Sequence, residues 1–290
     1  LELEKFLAND FELPMMEEIA EGFDEATRKS GGKVLTAFQK VCPNLLGGSA
    51  DLTKSTNAKG LDGNFTKENP LGRNICYGVR EHAMGTIANG ITLYGGLRTF
   101  TGAFFVFSDY MKPAIRVASI MNLPSLFFFS HDTVCVGEDG PTHQPIEQLT
   151  MFRSMPNTNV FRPADACEMT AALLHAFGEE NCPTVIVSTR QAVPNLVETN
   201  SEGVSKGAYI AFEPCCAPEA IIITCGSELH LSLNVAKKLE AEGVYVRVVS
   251  MPSMYLFDKQ SNEYKEEILP STITKRLAVE MGASMPWYKY

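Results

Sequence analysis

The densest group of chemically active side chains lies between residues 131 and 145, where two histidines and three carboxylates occur close together: His131, Asp132, Glu138, Asp139 and His143. The segment follows an apolar run that predicts a buried strand, and loops after parallel strands often hold ligands. A polar loop of this length is typical of a functional site. The alternative is a solvated loop with a turn at 139–141. The spacing does not indicate a metal cluster.

Glu81 is a second candidate, within the sequence Tyr-Gly-Val-Arg-Glu-His at 77–82. It falls in the first turn of a predicted helix that follows a predicted strand, where a carboxylic acid can exchange a proton with a bound group. The helix macrodipole also favours an acid at this place. The residue alone therefore leaves a catalytic and a structural interpretation open.

Phe104, Phe107 and Tyr110 form a third group. Their spacing of three predicts one shared helical face. Such a stripe is typical of a packed core, but it can also stack against a flat ring. The aromatic residues alone do not decide between these two interpretations.

The elements that must position these residues alternate along the chain. Apolar runs predict strands at 45–48, 74–77, 97–102, 125–130, 160–162 and 184–188. Amphipathic segments predict helices at 17–28, 34–41, 80–94, 104–121, 146–152 and 165–177, with Gly31 and Gly32 ending the first. Uninterrupted apolar strands separated by helices predict an α/β fold with a mostly parallel, doubly wound sheet.

A second unit is predicted near the end of the sequence. Residues 193–217 show no clear period and contain prolines, which indicates a linker. Strand, helix and strand follow at 221–224, 229–240 and 244–250, with another strand near 277–279. These are few strands for a doubly wound domain, so a truncated α/β domain is expected. The predicted division is 1–195, linker 196–217, and 218–290.

Composition excludes several classes of function. With 34 acidic and 25 basic residues, the net charge of −9 argues against nucleic-acid and anionic-membrane partners. No apolar run approaches the roughly 18 residues that span a bilayer, and no signal-peptide pattern opens the sequence. Eight cysteines without a Cys-x-x-Cys pair favour a reduced, cytoplasmic protein. The start at Leu1 indicates an internal fragment or a processed chain.

Four segments, taken together, resemble transketolase in their order and separation. They are Gly-Gly-Ser-Ala-Asp-Leu at 47–52, Tyr-Gly-Val-Arg-Glu-His at 77–82, Gly-Glu-Asp-Gly-Pro-Thr-His-Gln-Pro at 137–145 and Val-Ser-Met-Pro-Ser at 249–253. Gly-Pro-Thr-His is shared among thiamine diphosphate enzymes, whereas Gly-Gly-Ser-Ala-Asp and Phe-Asp-Lys-Gln at 257–260 indicate transketolase itself. The resemblance covers about 15–290 and implies a pyrimidine-binding domain followed by the start of a C-terminal domain.

The resemblance implies a role for each matching residue. Glu81 matches the glutamate that hydrogen-bonds the aminopyrimidine of thiamine diphosphate, and His143 is implied as a second catalytic residue. The implied cofactor-binding residues are Asp51, Glu81, Phe104, Phe107 and Tyr110. The implied substrate-binding residues are Arg28, Ser55, His131, Asp139, His143 and Arg190. His82 replaces a phenylalanine common in the family, which leaves the assignment of Glu81 unchanged.

The sequence lacks the Gly-Asp-Gly and downstream Asn with which the family holds the metal and the diphosphate. The resemblance therefore implies only the pyrimidine end of the cofactor site. Magnesium or calcium is expected on a diphosphate-binding domain supplied by an upstream region or by a separate chain. The intact enzyme is expected to be a homodimer of the pentose phosphate pathway acting on sugar phosphates, and this chain is expected to be inactive alone.

Two other functions stay open at this point. A 1-deoxyxylulose-5-phosphate synthase shares the glutamate and the Gly-Pro-Thr-His element, although Gly-Gly-Ser-Ala-Asp at 47–51 argues against it. A non-catalytic fragment or homologue that pairs with another chain is the other alternative, and the missing metal motif favours it.

Overall fold

The computed structural model describes residues 2–8, 11–12 and 24–290. Most of the helix predicted at 17–28 lies outside these residues. Within them, no helix has both the length and the apolar character that crossing a membrane requires.

The first unit is built on a six-stranded parallel sheet with the order β2-β1-β3-β4-β6-β5. The strands are β1 (Leu45–Ser49), β2 (Asn74–Cys76), β3 (Arg98–Phe104), β4 (Leu126–Ser130), β5 (Asn159–Phe161) and β6 (Thr184–Ser188). Phe127 and Phe129 of β4 pack into one apolar core, and Phe128 packs into another on the opposite face. Because side chains alternate along a strand, a sheet covered on both faces needs such uninterrupted apolar strands. The predicted mostly parallel sheet is confirmed.

Helices cover both faces of this sheet. The α-helices are Glu2–Ala8, Thr27–Val41, Thr53–Thr56, Glu81–Tyr94, Ser108–Ile120, Gln148–Arg153 and Ala166–Gly178. Short 3₁₀ turns occur at Phe105–Phe107, Gly137–Asp139 and Pro141–His143.

The prediction that Gly31 and Gly32 end a helix is wrong, because one helix runs through both from Thr27 to Val41. A methyl group on Gly31 would lie 2.5 Å from the ring of Phe128, and one on Gly32 would lie 2.6 Å from Cβ of Asn57. The glycines therefore permit close packing of the helix on its neighbours.

The second unit has a mixed sheet with the order β10-β8-β9-β7. Its strands are β7 (Tyr209–Phe212), β8 (Ala220–Thr224), β9 (Val246–Ser250) and β10 (Arg276–Val279), and β7 is antiparallel to β9. Its helices are Ser201–Lys206, Glu228–Ala241, Met254–Asp258 and Asn262–Ile268, with a 3₁₀ turn at Met285–Lys289. The predicted α/β unit is confirmed. The segment predicted as an irregular linker, however, contains a helix and an edge strand of this sheet.

A buried carboxylate joins the two units. Glu168, on the helix Ala166–Gly178, accepts hydrogen bonds from Tyr209 Oη at 2.8 Å and Ser250 Oγ at 2.6 Å. Its other oxygen accepts from the backbone N–H of Ala164 at 2.7 Å. Burial, together with the charge of Asp165, raises the pKa of Glu168 to about 7.

Candidate functional site

The ends of β3 and β4 lie side by side and form the centre of the site. Phe104, the last residue of β3, pairs in register with Ser130, the last residue of β4. His131 follows in the left-handed region, with φ of +66°. Its Nδ1 lies 2.9 Å from Ser130 Oγ, and its ring stacks on Phe104 with centroids 3.7 Å apart. The predicted position of the polar loop, after a buried strand, is confirmed.

Phe104, Phe107 and Tyr110 do not share one helical face, so that prediction is wrong. They lie at the end of β3, in a 3₁₀ turn and in the helix Ser108–Ile120. Their rings are still neighbours, with centroids 6.0 Å apart for the first pair and 6.2 Å for the second. We call these three rings the aromatic wall. His143 meets Phe107 edge-on at 5.3 Å.

Exposure changes along the aromatic wall. Phe104 is 8% exposed and Tyr110 is 63% exposed. The wall therefore runs from the protein interior to its surface and can present ring faces to a flat ligand.

Two arginines lie near His131. Burial and the positive charge of Arg190 lower the pKa of Arg28. Burial and the charges of Arg28, Arg190 and His143 lower the pKa of His131 to about 3. His131 is therefore a neutral imidazole at neutral pH, beside two cations.

The arginines are incompletely neutralised by the described residues. Arg28 Nη1 donates to the backbone carbonyl of Ser55 at 2.6 Å, and its buried Nε has no partner there. Arg190 lies 3.8 Å from Glu138, whose side chain is 88% exposed. Exposed ion pairs of this kind are weak. The two guanidinium groups can therefore bind a phosphate, to which each arginine can donate paired hydrogen bonds.

Glu81 begins the helix Glu81–Tyr94 and is 8% exposed. Further along this helix, a methyl group on Gly85 would lie 2.9 Å from Met111, and Asn89 donates to the carbonyl of Ala114 at 2.8 Å. The nearest atom to the methyl group on Gly85 is Cβ of Ala114, at 2.8 Å. The two helices follow β2 and β3, which run parallel in one sheet, so the helices themselves run in the same direction. Glu81, one turn before Gly85, is thus level with the start of the helix Ser108–Ile120.

The Glu81 carboxylate has no hydrogen bond or ion pair with another residue of the described ranges. Nearby in sequence, the buried hydroxyl of Tyr77 also has no partner among them. Burial raises the pKa of Tyr77, so its hydroxyl stays protonated at neutral pH. This region holds polar groups that the described residues do not satisfy.

The remaining predicted site residues are less closely connected. Asp51 follows β1 with φ of +58° and is exposed, and Asp139 is exposed in the turn Gly137–Asp139. Neither carboxylate has a partner within the described part of the chain. Ser55 contacts Arg28 through its backbone carbonyl.

The sequence analysis did not single out Arg162, and it noted Asp132 only as one of the carboxylates between residues 131 and 145. Asp132 Oδ2 accepts from Arg162 Nε at 3.0 Å and Nη2 at 2.9 Å, and both side chains are buried. A charged residue directly after an apolar strand is the signal that could have found them. No group of three or more histidine, cysteine, aspartate or glutamate side chains able to hold a metal occurs in residues 2–8, 11–12 and 24–290.

Comparison with known families gives two matches. Residues 24–195 match the family described as "Transketolase, pyrimidine binding domain". Residues 207–290 match the "Transketolase-like TK C-terminal domain".

Individual relatives agree with these matches. The transketolase of Halalkalibacterium halodurans is 47% identical over 98% of this chain and 45% of its own length. That of Geobacillus stearothermophilus is 51% identical over 91% of this chain and 40% of its own. The chain thus spans less than half the length of these relatives.

Solved structures are also similar. The transketolase of Pichia stipitis in complex with sedoheptulose 7-phosphate superposes with a TM-score of 0.93 at 37% identity, over 100% of this chain and 44% of that one. A split-gene transketolase, solved as an inactive β4 tetramer, superposes with a TM-score of 0.72 at 28% identity. There the match covers 91% of this chain and 82% of the other.

Proposed function

The chain belongs to the transketolase family, and from this premise we propose that it supplies the pyrimidine-binding half of a ketol-transferring site. In the assembled enzyme, this half-site serves the transfer of a two-carbon unit between phosphorylated sugars. The observation that carries the proposal is the clustering of the aromatic wall, two histidines and two arginines at the carboxyl ends of β3 and β4.

The residues present fit the aminopyrimidine of thiamine diphosphate. The aromatic wall offers ring faces, and the buried Glu81 carboxylate has free oxygens near the start of the neighbouring helix. When bound, thiamine diphosphate supplies the nucleophilic carbon that adds to the donor carbonyl. Glu81 would hold and exchange a proton with a ring nitrogen, and the apolar walls would exclude water from that exchange. Asp51 is proposed as a further cofactor contact.

For the sugar, Arg28 and Arg190 would bind the phosphate, because the two guanidinium groups lie close together and the carboxylate near Arg190 is the exposed Glu138, in a weak ion pair at 3.8 Å. His131 would act as a neutral hydrogen-bonding partner, since its pKa is about 3. We place Ser55 at the same end, and His143 and Asp139 nearer to the reacting hydroxyl groups, with His143 as the second catalytic residue.

A separate diphosphate-binding portion is part of the proposal. The split-gene relative, which this chain resembles over 82% of its length, supports a partner chain as one source, and an upstream region is the other. Magnesium or calcium would bind on that portion, and the complete enzyme would be a cytoplasmic homodimer of the pentose phosphate pathway. The division into 1–195, 196–217 and 218–290 also stays a proposal, and its middle segment includes the helix Ser201–Lys206 and the strand β7 of the second sheet.

The alternatives are weaker. A 1-deoxyxylulose-5-phosphate synthase is not favoured, because both family matches and the relatives are transketolases. A non-catalytic pairing module differs from our proposal in its activity, and reconstitution separates the two.

The test combines this chain with the diphosphate-binding portion of the Geobacillus stearothermophilus transketolase, thiamine diphosphate and Mg²⁺. We expect ketol transfer from the mixture and none from either part alone. A complex that forms on size-exclusion chromatography but transfers no ketol group would favour the pairing module. Calorimetry should show only weak cofactor binding to the lone chain, because charge-assisted contacts to the diphosphate are missing. Micromolar or tighter Mg²⁺-dependent binding would contradict the half-site assignment.

A further inference from the structure

We infer that the second unit positions the phosphate end of the site, and that Arg162 carries this effect by clamping Asp132, the residue after His131. This inference rests on the proposed function. It assigns to the second unit a part in substrate recognition, although none of the proposed site residues lies in that unit.

Arg162 follows β5 and its side chain is fully buried, at 0% exposure. Its Nε and Nη2 both donate to Asp132 Oδ2, at 3.0 and 2.9 Å. Burial raises the pKa of Asp132 to about 6, although the charge of Arg162 opposes that rise. A buried carboxylate depends strongly on such a partner, because an unpaired buried charge is very costly.

The other side of the guanidinium group belongs to the second unit. Nη1 of Arg162 donates to the carbonyl of Cys225 at 3.0 Å and forms an ion pair with Glu228. Gly226 lies between them with φ of +63°, and a methyl group there would lie 2.6 Å from Cζ of Arg162. The turn after β8 is thus shaped around this one side chain.

A second arginine keeps the arrangement in place. Glu280, directly after β10, pairs with Arg153 through contacts of 2.6 and 2.8 Å and lies 3.5 Å from Arg162. Trp287 Nε1 donates to the same carboxylate at 2.7 Å. Burial alone would raise the pKa of Glu280, but the charge and hydrogen bonds of Arg153 hold it at about 2. The carboxyl ends of β8 and β10 therefore both face the carboxyl ends of β4 and β5.

The link to the site is the backbone of His131. A residue other than glycine with φ of +66° is unfavourable unless its surroundings hold it. Two contacts flank this residue: the hydrogen bond between Ser130 and His131, and the clamp of Arg162 on Asp132. Without the clamp, we expect His131 to leave its buried position on Phe104 beside Arg28.

Only arginine suits this position. Its planar fork addresses Asp132 with two N–H groups and Glu228 and Cys225 with a third nitrogen. Lysine keeps the charge but not the fork, so it cannot hold both sides at once.

The test uses Arg162→Lys and Glu228→Gln, and the second variant changes only the second unit. The matched control is Glu213→Gln, which breaks an ion pair with Arg247 lying wholly inside the second unit. The first readout is the NMR titration of the His131 ring in this chain. The second is kcat and KM for a phosphorylated acceptor and its unphosphorylated analogue in the reconstituted enzyme.

We expect both variants to raise the pKa of His131 by at least about one unit toward its ordinary value, because the ring becomes hydrated. KM for the phosphorylated acceptor should rise about tenfold, whereas kcat and the KM for the unphosphorylated analogue should hardly change. The Glu213→Gln control should match the parent protein in all of these measurements.

A folded Arg162→Lys or Glu228→Gln variant with the parent titration of His131 overturns the inference. Should Arg162→Lys not fold, Glu228→Gln decides alone. The titration requires no activity, so absence of ketol transfer in the parent enzyme would refute the proposed function while the titration still tests the clamp. An active enzyme whose KM values do not change in the variants would refute the inference alone.

Discussion

His131 lies flat against Phe104, with ring centroids 3.7 Å apart and planes inclined by 29°. Phe104 belongs to the aromatic wall, which we propose contacts the cofactor, and His131 belongs to the proposed phosphate end of the site. The two halves of the site therefore share a packed contact, and a change in one is expected to reach the other.

Glu81→Gln should remove catalysis and leave the fold intact. Glutamine keeps the shape and one hydrogen bond of the side chain, but it cannot exchange the proton. In the reconstituted enzyme we expect kcat to fall at least about a hundredfold at saturating cofactor. The control is Glu263→Gln, another acid in the first turn of a helix, which should leave kcat unchanged. Near-normal turnover of Glu81→Gln would reduce Glu81 to a residue that stabilises its helix.

Arg28→Ala and Arg190→Ala should impair the use of phosphorylated sugars specifically. Each removes a cation that we place at the phosphate, and a charged hydrogen bond contributes about 1.5–3 kcal/mol. We expect kcat/KM for the phosphorylated acceptor to fall accordingly, while the unphosphorylated analogue is spared. The exposed Arg116, replaced by alanine, serves as the control. Equal losses for both acceptors would contradict a phosphate role.

Glu168→Gln should change how stability depends on pH. The pKa of Glu168 is about 7 in the folded protein, above the ordinary glutamate value of 4.5. Its contribution to the free energy of unfolding is therefore complete below pH 4.5 and is lost as the pH rises through 7. Since glutamine does not ionise, the free energy of unfolding of the variant should rise relative to that of the parent between pH 4.5 and 7, by up to about 1.4 kcal/mol per pH unit.

Urea denaturation of both proteins between about pH 4.5 and pH 8 measures this difference. The exposed Glu68→Gln should show a constant difference from the parent. A constant difference for Glu168→Gln as well would mean that Glu168 is already ionised across the window.

Gly31→Ala and Gly90→Ala should act in opposite directions, although both glycines lie inside helices. Alanine at 31 would meet the buried ring of Phe128 at 2.5 Å, so overpacking should cost about 1–3 kcal/mol of the free energy of unfolding. A methyl group on Gly90 would have no atom of another packed segment within 4 Å among the described residues, so alanine there should stabilise the protein by about 0.5–1 kcal/mol. Chemical denaturation compares the two directly, and a stabilised Gly31→Ala would show that the core can yield.

The apolar runs predicted the strands well, because a strand buried on both faces leaves an uninterrupted pattern, as in β4. Local rules failed where distant contacts decide the structure. Gly31 and Gly32 looked like a helix end, but they allow the helix to approach Phe128 and Asn57. The strand β7 was missed because its four residues lie in a segment that contains prolines and shows no clear period.

In the candidate site, too, local patterns identified some residues, whereas contacts between distant residues could not be predicted. Phe104, Phe107 and Tyr110 were found from their spacing, but they become neighbours through a strand end, a 3₁₀ turn and a helix. The clamp of Arg162 on Asp132 joins residues thirty positions apart, which no local period marks. Such pairs become visible only when the strand order is known.

The contact between the carboxyl ends of the strands in the two sheets also limits how this protein can be divided. A cut between the units would expose Arg162 and Glu168 on the first fragment, each without its partners Glu228 and Tyr209. Protein engineers who exchange modules between relatives should therefore move the two sheets as one cassette, or transplant both sides of each contact together. Recombination within the turn after β8 would be the least tolerated, since Gly226 has to admit an arginine supplied by the other module.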